Sequence, residues 1–326
     1  MVTVVVPARN EEEGIGECLR SILAQDHRRL QVLVVDGRSE DGTRAAIQEA
    51  AGGDERVEVL DNPQRTIPHA LNISLREARG RWLVRVDAHS TVPPGYVARA
   101  VAHLRDGRWG GVGGRKDAVA TTPAGKAIAV VLGSPLGVGG SIYHHGREVR
   151  PVDHIPFGAY PTALLEAMGG WDERILANED FELDYRLRLA GHELLFDPEL
   201  RIAWRSRQSL GELFGQYRRY GRGKALVALK HPSSLQGRHL APPLFVAGLT
   251  LTALLRRRAF GRLALAYACF VGGASAALAR RLEDGGARRY LPGVFPSMHL
   301  GYGIGFWESL VTEPARRIRA RGDAKP

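Results

Sequence analysis

A chain of 326 residues, 44% hydrophobic and 25% charged, can bury one large core or two modest ones. Its formal net charge of +10 points to an anionic partner: nucleic acid, lipid headgroups or a phosphate-bearing substrate. The two cysteines, Cys18 and Cys269, are far apart and lack C-x-x-C or zinc spacing, which excludes a disulfide framework. Met1 runs directly into strand-like residues with no basic leader, so the expected starting compartment is the cytoplasm.

The first half alternates short β-branched runs with helical patterns. "VTVVVPA" (2–8) and "LQVLVVDG" (30–37) are continuous apolar runs, as parallel strands buried on both faces require. Between them Ile15, Leu19, Ile22 and Leu23 fall at helical spacing. A helix carrying Ala45, Ala46 and Ile47 precedes a third strand, "RVEVLDN" (56–62). An amphipathic helix, "HALNISLREARG" (69–80), precedes a fourth, "RWLVRVDA" (81–88). Strand–helix–strand repetition predicts a doubly wound α/β domain, and such sheets bind ligands at the carboxyl ends of their strands. Residues 7–10, Asp36 and Asp87 each stand at such an end.

From Arg205 the texture changes. "RSRQSLGELFGQYRRYGRGKALVALKH" is strongly basic, with Leu210, Leu213, Phe214, Tyr217 and Tyr220 interleaved. Two apolar stretches follow, 241–255 and 263–279, separated by "RRRAFGR", and an aromatic-rich segment (290–311) precedes a charged tail. The expected division is a catalytic domain over 1–204, basic amphipathic linker helices over 205–240 and an apolar helical, membrane-associated region over 241–326. Each apolar stretch is shorter than the roughly 20 residues of a straight spanning helix. As a spanning pair they would also place Arg256, Arg257, Arg258 and Arg262 outside, against the positive-inside bias. Shallow, re-entrant or interfacial insertion against anionic headgroups is therefore expected, with a soluble helical subdomain as the alternative.

Three polar sites carry the chemistry. Asp36 ends a buried strand, and Gly37, Gly42 and Thr43 shape a turn that opens a helix. A nucleotide base and ribose could use Asp36 as an acceptor, with the backbone near Pro7 and Arg9 lining the pocket; taken alone, "SEDGT" reads equally as a turn and helix N-cap. In "RVDAHS" an acid, Asp87, and an imidazole, His89, follow a buried strand, which poses a divalent-metal site against an ordinary strand-to-loop turn. In "NEDFELDYRLRLAGH", Glu179 and Asp180 stand at a helix start, where the helix dipole favours an ionised carboxylate. His144, His145, Asp153 and His154 sit in glycine-rich, loop-like sequence whose spacing fits no standard zinc motif, so an acceptor-facing loop is expected there.

The segments "VPARNEE", "VLVVDGRSEDGT", "NPQRTIPHALN", "RVDAH", "GGWDERILANEDFELDYRLRLAGH" and "QYRRYG" occur in this order over about the first 220 residues. As a set the chain resembles the inverting glycosyltransferase family 2, and "VDAHS", "SPLGVGGS" and "HLGYGIGFW" are similar to bacterial succinoglycan-type exopolysaccharide transferases. The resemblance implies the GT-A (nucleotide-diphospho-sugar transferase) fold. It implies that Pro7, Ala8, Arg9 and Glu11 line the nucleotide site, that Asp36 contacts the base, and that Arg65 helps close the site. Asp87 matches the first aspartate of the family's D-x-D motif, and His89 replaces its last. That imidazole favours Mn²⁺ over Mg²⁺, although a loop or outer-sphere role for His89 stays open. Asp180 matches the catalytic base, with Glu179 beside it. Gln216, Arg218 and Arg219 match a Q-x-x-R-W region and are candidates for diphosphate and acceptor contacts, Tyr220 standing where tryptophan is frequent. Trp171 is expected to wall the acceptor pocket, with core packing as its rival.

The leading expectation is thus a metal-dependent, inverting transferase. It would move sugar from a nucleoside diphosphate donor, uridine diphosphate by preference, to a polyprenyl-linked saccharide at the cytoplasmic face of the membrane, forming a β-linkage. A soluble acceptor is the alternative. Nucleic-acid binding is the remote one, since the arginines concentrate around apolar helices without a recognisable nucleic-acid module.

Overall fold

The structure, a computed structural model, describes residues 1–27 and 29–322, with side chains to residue 313. In chain order the first elements are β1 (Val2–Ala8), α1 (Ile15–Leu23), β2 (Leu30–Asp36), α2 (Thr43–Ala51), β3 (Val57–Asp61), α3 (Ile67–Glu77), β4 (Trp82–Arg85), β5 (Ser90–Thr91), α4 (Tyr96–Arg105) and β6 (Trp109–Val119). After α5 (Pro123–Leu132) and α6 (Pro135–Val138) come β7 (Arg150–Val152), β8 (Ala159–Pro161), α7 (Thr162–Ala167), α8 (Glu179–Leu189) and β9 (Glu193–Arg205). The remainder is helical: α9 (Leu210–Lys230), α10 (Gly237–Leu255), α11 (Arg257–Ala279), α12 (Gly285–Arg288) and α13 (Leu291–Gly322).

Two compact units share these elements, one of residues 1–117 and 142–205, the other of 118–141 and 206–326. The strands order as β3-β2-β1-β4-β8-β6-β9-β5, with β7 on β9. β1 to β4 pair in parallel, and β8 turns the sheet antiparallel against β4. Alternate residues of a strand face opposite sides. Val4 and Val6 accordingly enter a core with Ile15, Leu19, Ile47 and Tyr96, while Val5 and Leu83 enter another with Leu71, Leu165, Leu183 and Leu187. Helices α1, α2 and α4 cover one face and α3, α7 and α8 the other. In register, Ala8 stands opposite Asp36, and Asp36 opposite Asp61, which aligns the strand ends along one edge.

In the second unit α13 lies along α9. The approach is close enough that a Cβ on Gly221 would run into the Tyr302 carbonyl, and one on Gly305 into the Arg218 carbonyl. Only glycine lets two helix backbones meet at that range. The helix α5 packs on α12 and α13. Residues 118–141, expected within the catalytic domain, therefore belong to the helical unit, because the apolar face of α5 is buried there. The helices α10 and α11 run 19 and 23 residues, longer than the apolar stretches that seed them, and by length and composition each is long enough to cross a membrane. Leu244, Leu251, Leu254, Leu265 and Phe270 on them are exposed.

Candidate active site

The ends of β1 and β2 are stitched into one surface. The Asn10 N–H donates to Ser39 Oγ (2.9 Å), and Asn10 Oδ1 accepts from the Glu40 N–H (2.9 Å). The Glu11 N–H donates to Thr43 Oγ1 (2.8 Å), and Glu12 accepts from the Gly42 N–H (2.7 Å). Asn10 itself has φ 54°, a left-handed geometry that asparagine tolerates better than most residues. Pro7, Ala8 and Arg9 line this edge, Arg9 exposed. Asp36 is fully buried, and both its oxygens are engaged: Oδ1 by the Ser39 N–H and hydroxyl, Oδ2 by Arg44 Nε (2.6 Å). Its side chain thus shapes the turn from within. Arg65 (φ 61°) is exposed and reaches Glu40 (3.3 Å) from the next strand end.

At the exit of β4 the chain buries a cation among three acids. Arg85 is 3% exposed. Its Nε donates to Asp87 Oδ1 (2.8 Å), and its Nη1 to both Glu179 Oε1 (3.0 Å) and Asp180 Oδ1 (2.7 Å). The segment after β4 and the start of α8, more than ninety residues apart, thus share one guanidinium. Burial opposes the charge on Asp87, but Arg85, His89 and Lys116 outweigh it and hold its carboxyl below the usual range. Burial and the neighbouring Asp180 charge push Glu179 up to about 7, against the pull of Arg85. Asn178, at φ 64°, ends the approach to α8 and turns Glu179 and Asp180 into its first turn.

His89 Nδ1 faces Glu11 Oε1 at 3.0 Å. A carboxylate on one ring nitrogen fixes the tautomer and leaves the other to ligate, the arrangement that orients metal-bound imidazoles. Asp87 keeps lone pairs beyond those used by the Arg85 fork. Asp87 and His89 thus have the donor chemistry a divalent cation would use, although no group of three or more such side chains gathers there among the described residues. Gly14 lets α1 approach this loop, since a Cβ there would sit 3.1 Å from the His89 Cα.

A family model described as glycosyl transferase family 2 matches residues 3–128. The chain is 34% identical, over 94% of both chains, to the succinoglycan biosynthesis protein ExoA of Rhizobium meliloti (strain 1021). This chain belongs to glycosyltransferase family 2. Among solved structures it is similar to a mannosyltransferase from Pyrobaculum calidifontis in complex with GDP-Man and Mn²⁺. That match has a TM-score of 0.62 and 23% identity, and covers 95% of this chain and 86% of that one. It is also similar to TarS (residues 1–349) of S. aureus in complex with UDP-GlcNAc. There the TM-score is 0.53 and the identity 16%, over 96% and 92%. Both likenesses are of fold: the family 2 enzyme has the GT-A architecture, a mixed α/β sheet followed by helices.

Of the other residues the sequence singles out, some lie in the core of the first unit and some in the helical unit. Trp171 is 2% exposed and packs edge-on to Tyr160. Gln216, Arg218 and Arg219 belong to the helical unit. Gln216 is buried there, Arg218 is bound to Glu308 (2.9 Å), and Arg219 is exposed, with the charge of Arg207 nearby. In the histidine segment His154 Nδ1 meets Asp184 Oδ2 at 2.7 Å, one turn beyond Asp180, and Tyr160 donates to the other oxygen (3.0 Å). Arg85 and Lys116 went unnoticed in the sequence, and Asp184 stood there only as one of the residues on recurring turns of its helix. An arginine inside the buried run "WLVRVDA" was the available signal, since such a charge requires acids around it. Lys116 lies over the rings of Phe157 (4.3 Å) and Trp204 (4.4 Å), and burial pushes its ammonium down to about 8.

Proposed function

We propose that this enzyme transfers a sugar from uridine diphosphate to the hydroxyl of a polyprenyl-linked saccharide, inverting the anomeric carbon to give a β-linkage in exopolysaccharide synthesis. The shared Arg85 guanidinium supports the reading above all, because it sets the donor acid Asp87 and the base Asp180 in one buried frame. In direct displacement the acceptor oxygen forms a bond to the anomeric carbon as the bond to the diphosphate breaks. The hydroxyl proton passes to Asp180 as bond formation acidifies it. Glu179 holds Arg85 from the side opposite Asp87 and keeps the base in place. Pro7, Ala8, Arg9 and the linked loop around Asp36 and Arg65 form the nucleotide edge.

A divalent cation, Mn²⁺ by preference for the imidazole, would be held by Asp87 and His89 and would neutralise charge on the departing diphosphate. The exposed apolar sides of α10 and α11, with Arg256, Arg257, Arg258 and Arg262 between and beside them, support attachment to the cytoplasmic face of an anionic membrane where a lipid-linked acceptor resides. A hydrolysis screen of UDP- and GDP-sugars with Mn²⁺ and Mg²⁺ compared tests the donor and the metal. Asp180→Asn should lower transfer by about 10³-fold or more while nucleotide still binds. Normal turnover in that variant would remove Asp180 as the base.

A further inference from the structure

Charge accounting around Arg85 leaves one group over. Asp87, Glu179 and Asp180 are all hydrogen-bonded to Arg85, so its donors are committed to carboxylates. A diphosphate arriving beside Asp87 brings further negative charge, and the guanidinium has little left to offer it. Lys116, on β6, is a nearby cation that has no hydrogen-bonded carboxylate among the described residues. Its recorded contacts among the described residues are the faces of Phe157 and Trp204, which leave the ammonium's three donors unused. Among the three acids its charge interacts most with Asp87 and less with Asp180 and Glu179, which weights it toward the donor acid. Two buried polar atoms in the same neighbourhood also lack a partner in the protein: the indole Nε1 of Trp204, under the ammonium, and Nδ1 of His144, within reach of the Lys116 charge. Buried polar groups left unmatched in this way signal a hydrogen-bonding occupant.

Resting on the donor reading above, we infer that Lys116 is a substrate-binding cation that donates to the diphosphate of the sugar nucleotide and stabilises it as the leaving group. The ring faces of Phe157 and Trp204 hold the flexible lysine stem so that its ammonium points at one place. The expected ligand is an oxyanion of the donor rather than the phosphate of a lipid-linked acceptor, because of the three acids around it Lys116 interacts most with Asp87.

Calorimetry on the full chain tests this with UDP and GDP, and with uridine and guanosine, each with Mn²⁺ present. Lys116→Met should weaken whichever diphosphate the wild-type protein binds by about tenfold or more, leave the corresponding nucleoside unaffected, and lower kcat. Lys116→Arg should recover most of the affinity. Equal diphosphate affinity in Lys116→Met and wild type overturns the inference, as does an equal loss for nucleoside and diphosphate. A loss seen only in KM for the lipid-linked acceptor overturns it too. Should Lys116→Met fail to fold, Lys116→Gln carries the same comparison. A wild-type protein that binds neither diphosphate defeats the donor reading itself, an outcome distinct from a wild type that binds and a variant that binds equally well.

Discussion

In the first unit one arginine serves three carboxylates; in the second, one carboxylate serves two arginines. Arg85 is buried among Asp87, Glu179 and Asp180, whereas Glu308 accepts from the partly exposed Arg218 and Arg222. The inversion follows from solvent. Water screens the surplus arginines outside, so a chain of net charge +10 can carry them cheaply. Around Arg85 burial demands paired charges, and a cation with three acids is tolerable because burial and the Asp180 charge push one of them, Glu179, up to about 7. The same ion-pair geometry is thus structural necessity in one place and decoration in the other.

The largest test removes the interior cation. Arg85→Met should cost about 3–5 kcal/mol in denaturant unfolding, the penalty for stranding buried acids, and Glu179→Gln in that background should restore part of it. A loss no greater than that of a surface pair would erase the contrast. Next comes a change that leaves charge alone: Gly305→Ala should cost about 1–3 kcal/mol in thermal unfolding in detergent, by forcing α13 off the Arg218 backbone.

A smaller, pH-resolved effect follows for Glu179. Its carboxyl titrates near 7 folded against 4.5 unfolded, so its stabilising share is complete below 4.5 and is lost as pH rises through 7. Glu179→Gln should therefore flatten the melting temperature over that window; an unchanged slope would mean that Glu179 is already ionised there. The least effect is expected from Glu308→Gln: a melting temperature close to wild type, with any difference shrinking as salt is raised.

Much of the parallel half was legible because its strands are continuous apolar runs bounded by polar ends; Asp87 and Asp180 stand after such a run and at a helix start. The antiparallel half was not, since β5, β7 and β8 are two or three residues long and carry no periodicity. The hub role of Arg85 depends on acids more than ninety positions away, which spacing cannot reveal. Lys116 was hidden for the same reason, its two rings coming from residues 157 and 204. The apolar face of α5 was visible, but its partners α12 and α13 lie some 150 residues on.

The reciprocal bonds between residues 10–12 and residues 39–43 have an engineering consequence. Neither turn is an independent module. Swapping one for that of a homologue with another nucleotide preference would strand the donors and acceptors of its mate. Exchange of base preference by grafting should succeed only when both segments travel together.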